Sequence, residues 1–223
     1  MKKDEHVVVI FPHPDDEAFG AAGTIARFRK QGVPVTYLCG TLGEMGRNMG
    51  NPTFATRETL PEIRQQELTN ACQSLDINLE QLGYRDKTLE FEDQDRIATH
   101  LLRYLEKIKP TLVITHYPGY AVHPDHDAFG AAAIEAVNRL NLNQRPDVWA
   151  LAIKKDKEKD LGEPDLQFDI TDTFEDKLAA IVAHKSQASG ILGGLNQGPA
   201  SLDQIVKDKL SHEAFYQWSF NEV

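Results

Sequence analysis

Two stretches of this chain run from unbroken apolar sequence into histidine and carboxylate. In HVVVIFPHPDDE the apolar run 6–11 delivers His13, Asp15, Asp16 and Glu17. The second run, 111–115, is followed by HPDH, with His123, Asp125 and His126. A short apolar run without alternation suits a strand covered on both faces, the condition of a parallel sheet. Open α/β sheets bind ligands outside the carboxyl ends of their strands. Both motifs are therefore expected at one edge of such a sheet.

The remaining sequence alternates to match. Phe19, Ala22, Gly23, Ala26 and Phe28 recur at helical spacing over 17–30, with Gly32 as the stop. A strand is expected at 33–39. The stretch 40–60 holds four glycines and a proline without periodicity, and so long a loop is usually functional. Pro61 opens a helix to about 75. A weak strand follows at 79–84, then a helix at 93–108 that Lys109-Pro110 ends. Strands are expected at 112–115 and 148–153, around an alanine-rich helix at 126–140. The charged run 154–160 reads as a solvated loop. Residues 166–170 alternate like a strand, and 171–187 form an amphipathic helix with Phe174, Leu178, Ile181 and Val182 as its stripe. A glycine-containing loop at 190–199 precedes an aromatic segment, 214–220, expected to pack on the body.

This pattern predicts one domain over 1–223: α/β, a doubly wound, Rossmann-like, mostly parallel sheet with helices on both faces and a C-terminal elaboration. In the common doubly wound orders the first and fourth strands are neighbours at or near the switch point. Motifs far apart in sequence then meet in space.

Imidazole with carboxylate is the ligand mixture of a catalytic zinc that keeps one position for water. Closed structural zinc sites are mostly built from cysteine, and neither Cys39 nor Cys72 is near the motifs. Those two thiols are expected to be reduced core residues. Simpler readings stay open at each motif: Asp15 or Asp16 capping the helix that begins near Glu17, and Asp125 capping the alanine-rich helix. A different function class also stays open, a receiver-type signalling module with Asp86 as phosphoacceptor and Lys154 as its lysine. That reading leaves His13, His123 and His126 without a role.

Lys plus Arg number 24 against 34 Asp plus Glu, a formal net charge of −10. That balance argues against nucleic acid or an anionic membrane as partner. No dinucleotide, P-loop or serine-elbow motif is present. The start of the chain lacks an apolar signal core, and no segment has the ~20 apolar residues of a membrane span. The expectation is a cytoplasmic protein, with homo-oligomer formation left open.

HPDDE after the first strand and HPDH after the fourth resemble the PIG-L/LmbE-like zinc N-deacetylases. The resemblance extends to CGTLGEMGR, IRQQEL, LGYRD and AHKSQ, in the same order along the chain. It implies hydrolysis of the N-acetyl group of an N-acetylglucosaminyl compound, with one zinc ion per chain. Within the family the chain looks most like the branch acting on N-acetylglucosaminyl malate in bacillithiol biosynthesis. The partner implied is a small sugar with an anionic aglycone, and a thiol-conjugate amidase is the neighbouring alternative.

The family pattern implies His13, Asp16 and His126 as zinc ligands, Asp15 as general base, and His123 as the group that stabilises or protonates the reacting centre. Asp125 is expected to orient His123 and raise its pKa. Arg64 and Arg47 are expected to grip the aglycone carboxylate, and Glu44 to meet sugar hydroxyls or ride on a lid. Where some relatives carry a tyrosine, this chain has Ala121, with Tyr120 beside it. His184 and Gln187 receive no role.

Overall fold

Val7–Phe11 forms β1, and all five residues are buried. The computed structural model describes residues 5–188 and 204–220. β1 pairs in parallel with β2 (Val35–Cys39) on one side and β4 (Leu112–His116) on the other. β3 (Asn78–Gln81) and β5 (Asp147–Leu151) extend the parallel core outward. β7 (His212–Gln217) then runs antiparallel to β5, and β6 (Leu166–Asp169) antiparallel to β7. The order is β3-β2-β1-β4-β5-β7-β6. The chain reverses direction of growth between β1 and β4, so the expected switch point carries both histidine motifs.

The period of two along β1 builds two cores. Val7, Val9 and Phe11 face Ile25, Leu68 and Ile181, while Val8 and Ile10 face Ile97, Leu101 and Phe129. One layer holds α2 (Ala22–Lys30), α3 (Leu60–Ser74) and α7 (Phe174–Ala183). The opposite layer holds α4 (Gln94–Ile108) and α5 (Pro124–Asn138). Each fully buried Val, Leu or Ile contributes about 1.5–3 kcal/mol relative to exposure. Cys39 and Cys72 are free and buried, as expected.

The structure differs from the sequence expectation in several elements, and two of the differences have a clear physical cause. The helix expected at 17–30 breaks at Ala21 into α1 (Asp16–Gly20) and α2. Glu213 of β7 takes the first free N–H groups of α2, those of Gly23 and Thr24, at 2.9 and 2.8 Å. A cap supplied across 190 residues leaves no local signal. The alanine-rich helix starts earlier than expected, at Pro124, and its cap is His123, whose Nδ1 accepts the Asp125 N–H at 3.1 Å. Asp125 is therefore not the cap. The charged run contains a short exposed turn of helix, α6 (Glu158–Leu161), and the aromatic segment contributes β7. The helix expected to reach 187 ends at Ala183, after a turn of 3-10 helix at Thr171–Thr173. The expected loop 190–199 lies outside the described residues. α8 (Gln204–Leu210) leads into β7. No helix among the described residues is long and apolar enough to cross a membrane.

Candidate metal centre and active site

β1 ends at Phe11 and the chain turns at Pro12, so His13 stands directly over the carboxyl end of the sheet. From the neighbouring strand, the loop after β4 and the first turn of α5 bring His123, Asp125 and His126 to the same place. His13 Nδ1 faces His126 Nε2 at 3.0 Å. Asp16 lies against both, 3.5 Å from His13 Nδ1 and 3.2 Å from His126 Nε2.

The far nitrogen of each ring is already held by an acceptor. His126 Nδ1 meets the Ala121 carbonyl at 3.0 Å. His13 Nε2 meets Asp86 at 3.1 Å and Asp125 at 3.3 Å. Those acceptors draw the ring protons outward and leave two lone pairs facing one another beside a carboxylate. Such a set repels itself unless a proton or cation sits between, and it fits a divalent metal with N₂O ligation. Ligand atoms of His13, His123 and His126 lie within 4.8 Å of one another, as do those of Asp16, His116 and His126.

Electrostatics agree. Burial works against the His13 cation, but its bonds to Asp125, Asp16 and Asp86 carry its pKa well above the ordinary value. Burial likewise opposes the Asp16 carboxylate, and His126 and His13 hold it well below the usual range. Without a metal, protons fill the gap between the lone pairs; a metal would displace them.

Asp15 sits beside this cluster in an unusual backbone state, φ 105° and ψ −25°. A non-glycine residue there costs about 1–3 kcal/mol and persists only where its surroundings enforce it. Two groups do so: Glu17 accepts the Asp15 N–H at 3.0 Å, and Arg64 meets its carboxylate at 3.2 Å. The Asp15 side chain makes no capping hydrogen bond to α1, so the helix-cap reading fails here. Burial raises its pKa to about 6, with Arg64 opposing the rise and Asp16 adding to it. That value suits a proton acceptor near neutral pH.

His123 is held through Nδ1 as a helix cap, which places the proton of its neutral ring on Nε2. Its pKa is lowered, by burial first and then by the neighbouring His13 and His126. Asp125 does act to raise that pKa, as expected, but burial and the two histidines outweigh it, and it is the Asp125 backbone N–H, not its carboxylate, that bonds His123. The Asp125 carboxylate is turned toward His13 and accepts the N–H groups of Lys87 and Leu89 at 2.7 and 3.1 Å.

Arg64 also departs from expectation. It is 4% exposed, and its guanidinium donates to the Gly43 and Pro14 carbonyls as well as to Asp15. Gly43 is required there, since a Cβ would fall 1.9 Å from Arg64 on a backbone at φ +60°. Glu44 receives the Asp86 N–H at 2.9 Å through Oε1, while its buried Oε2 has no partner among the described residues. Arg47 is exposed on the same loop. Tyr120 packs against Tyr117 and under Lys154, not against the histidines.

Two residues enter the site that sequence reasoning did not place there. Asp86, in LGYRD, binds His13 with one oxygen and the Met45 N–H with the other, at 2.8 Å. Its motif was the available signal. His116 ends β4 and stacks on His126 at 4.0 Å and 12°, with neither ring nitrogen partnered among the described residues. Burial pushes its pKa down to about 3, so it is a neutral platform for the His126 ring. Its place directly after the apolar run 111–115 was the available signal.

Comparison with known proteins completes the picture. The family model described as "PIG-L: GlcNAc-PI de-N-acetylase" matches residues 8–137. A Bacillus subtilis protein named probable N-acetyl-alpha-D-glucosaminyl L-malate deacetylase 2 is 48% identical over 219 residues, covering 98% of this chain and 99% of that one. Among solved structures, N,N'-diacetylchitobiose deacetylase from Pyrococcus horikoshii superposes with a TM-score of 0.74 at 26% identity, over 97% of this chain and 85% of that one. GalB, a 4-carboxy-2-hydroxymuconate hydratase from Pseudomonas putida, reaches 0.73 at 21% identity, over 98% of each chain. At that identity the likeness is one of fold, and the fold alone does not choose the reaction.

Proposed function

The chain belongs to the PIG-L de-N-acetylase family and is an N-deacetylase, and we propose that its substrate is N-acetylglucosaminyl L-malate, cleaved with a zinc ion held by His13, Asp16 and His126. The observation that carries the chemistry is the pair of imidazole nitrogens facing each other at 3.0 Å beside the Asp16 carboxylate. Support for the substrate is the 48% identity to a protein of that name over almost the whole of both chains. The receiver-type reading is set aside: its fold has the strand order 2-1-3-4-5, unlike the β3-β2-β1-β4-β5 order here.

When bound, zinc supplies a Lewis acid that brings the pKa of water toward ~7 and polarises the acetamide carbonyl. Asp15, with its pKa near 6, accepts the proton of the attacking water. His123 donates its Nε2 hydrogen to the carbonyl oxygen as that oxygen gains charge, and it does so as a neutral ring. Removal of one such donor typically costs ~10²–10³ in kcat. Asp15 then hands its proton to the departing amine nitrogen as the C–N bond breaks, leaving acetate and a free amino sugar. Asp125 and Asp86 hold the outer nitrogen of His13, and His116 supports the face of His126.

For recognition, the unpartnered Oε2 of Glu44 suits a sugar hydroxyl, and the exposed Arg47 suits the malate carboxylates. Arg64 is given to Asp15 and the loop carbonyls. Its role is to hold the base, and the aglycone falls to Arg47. The single domain over 1–223 fits the sheet that runs from β1 to β7. The test is acetate release from a panel: N-acetylglucosaminyl malate, a neutral N-acetylglucosaminide, and a thiol-conjugate amide for the amidase alternative. Turnover is expected to favour the malate compound, and preference for the thiol conjugate would overturn the substrate proposed.

A further inference from the structure

The AHKSQ sequence begins at Ala183, the last residue of α7, and the deacetylation chemistry above makes no use of it. Yet His184 and Ser186 are fully buried. His184 Nε2 meets Glu17 Oε1 at 2.6 Å, with both side chains at 0% exposure. Glu17 uses its other oxygen to accept the Asp15 N–H. A continuous bonded path therefore runs from His184 to the backbone of the base, at the one residue of that path with a left-handed φ.

The same segment grips the loop that carries Glu44 and Arg47. Gln187 and Asn48 bond reciprocally, Asn48 Nδ2 to the Gln187 carbonyl at 2.8 Å and Gln187 Nε2 to the Asn48 carbonyl at 3.0 Å. The Gly50 N–H donates to the Ser186 carbonyl at 3.2 Å. Ser186 is itself fixed to α3, its N–H and hydroxyl both donating to Glu67, at 2.7 and 2.6 Å.

We propose that segment 184–187 is a two-sided positioning clamp: His184 sets the Asp15 base through Glu17, and Gln187 sets the substrate loop through Asn48. Ser186 on Glu67 is the fixed point between them. Neither His184 nor Gln187 touches the reacting atoms. The inference rests on Asp15 being the base, and it deepens that reading by naming what holds the base in place.

Its two arms separate in kinetics. On the metal-loaded full chain, with the best substrate of the panel, His184→Ala is expected to lower kcat ~10- to 100-fold, the cost of displacing a catalytic group by about 1 Å. Metal content and KM should stay near the parent values. Gln187→Ala is expected to raise KM ~3- to 10-fold with kcat little changed, the range for one lost hydrogen bond. A side-chain amide can replace the ring donor only if it reaches Glu17, so His184→Gln should recover most of kcat and the shorter His184→Asn should not. That pair decides the matter even if the alanine variant does not fold. Lys177→Met, in a buried ion pair elsewhere, serves as a destabilised control expected to keep kcat. Parent-like kcat in both His184→Ala and His184→Asn would overturn the clamp while leaving Asp15 untouched. The clamp is equally overturned if kcat falls in Lys177→Met in proportion to its lost stability. Full activity in Asp15→Asn, measured alongside, would instead remove the base assignment on which the clamp depends.

Discussion

Two buried acid–base pairs sit on the same face of the sheet and do different work. Lys177 and Glu213 meet at 2.8 Å with side chains 2% and 1% exposed. Glu17 and His184 meet at 2.6 Å with both at 0%. In the first pair the carboxylate receives three donors, Lys177 and the N–H groups of Gly23 and Thr24, and its effect is to join β7, α7 and the start of α2. In the second, the carboxylate bridges a histidine to the strained Asp15 backbone, and His184 Nδ1 has no partner among the described residues. The pair whose carboxylate gathers three donors from two helices secures the fold, and the pair whose carboxylate reaches the strained Asp15 backbone serves the site.

The largest effect that tests this division comes from the ligands themselves. His13→Ala, Asp16→Ala and His126→Ala are each expected to lose most of the bound metal and to reduce activity to background, as elemental analysis and acetate release would record; full occupancy in all three refutes the ligand set. Next comes the base. Asp15→Asn should retain metal yet lose ~10²-fold or more in kcat. Because burial raises the Asp15 pKa to about 6, and only its carboxylate accepts a proton, parent activity should fall as pH drops through 6. A flat profile from pH 7 to pH 5 at constant metal content would show that Asp15 is not the group titrating.

Lys177→Met probes the opposite side of the comparison. Leaving a buried charge without its partner costs about 3–5 kcal/mol, or a fall in Tm of roughly 6–20 °C for a chain of this size. kcat at a temperature where the variant is folded should not change. A variant with parent Tm and reduced kcat would reverse the roles assigned to the two pairs. The smallest expected effect is in recognition. Arg47→Ala should lower the preference for N-acetylglucosaminyl malate over a neutral glycoside ~10-fold, the value of a charged hydrogen bond at an exposed site. Arg64→Ala should lower kcat on both substrates alike, because its guanidinium is committed to Asp15. If Arg64→Ala instead alters only the preference, the aglycone contact belongs to Arg64.

What the amino-acid sequence determined by itself was everything written in local periods and short motifs. Unbroken apolar runs specified strands buried on both faces, and their alternation with helices specified a doubly wound parallel sheet. Strand-end position put HPDDE and HPDH together, and family resemblance distributed roles among their residues. Contacts across the chain were decided only by the tertiary structure. Glu213 splits the first helix from 190 residues away, and His184 reaches Glu17 across 167. Asp125 turned from its near neighbour His123 to His13, because the loop after β3 offered two N–H groups that fix the carboxylate there. Arg64 was absorbed by the Gly43 and Pro14 carbonyls. The reason is common to all of these. A backbone period is set within a few residues, whereas a polar side chain takes whichever partner burial leaves within reach, and that depends on which strands and loops the fold has stacked beside it.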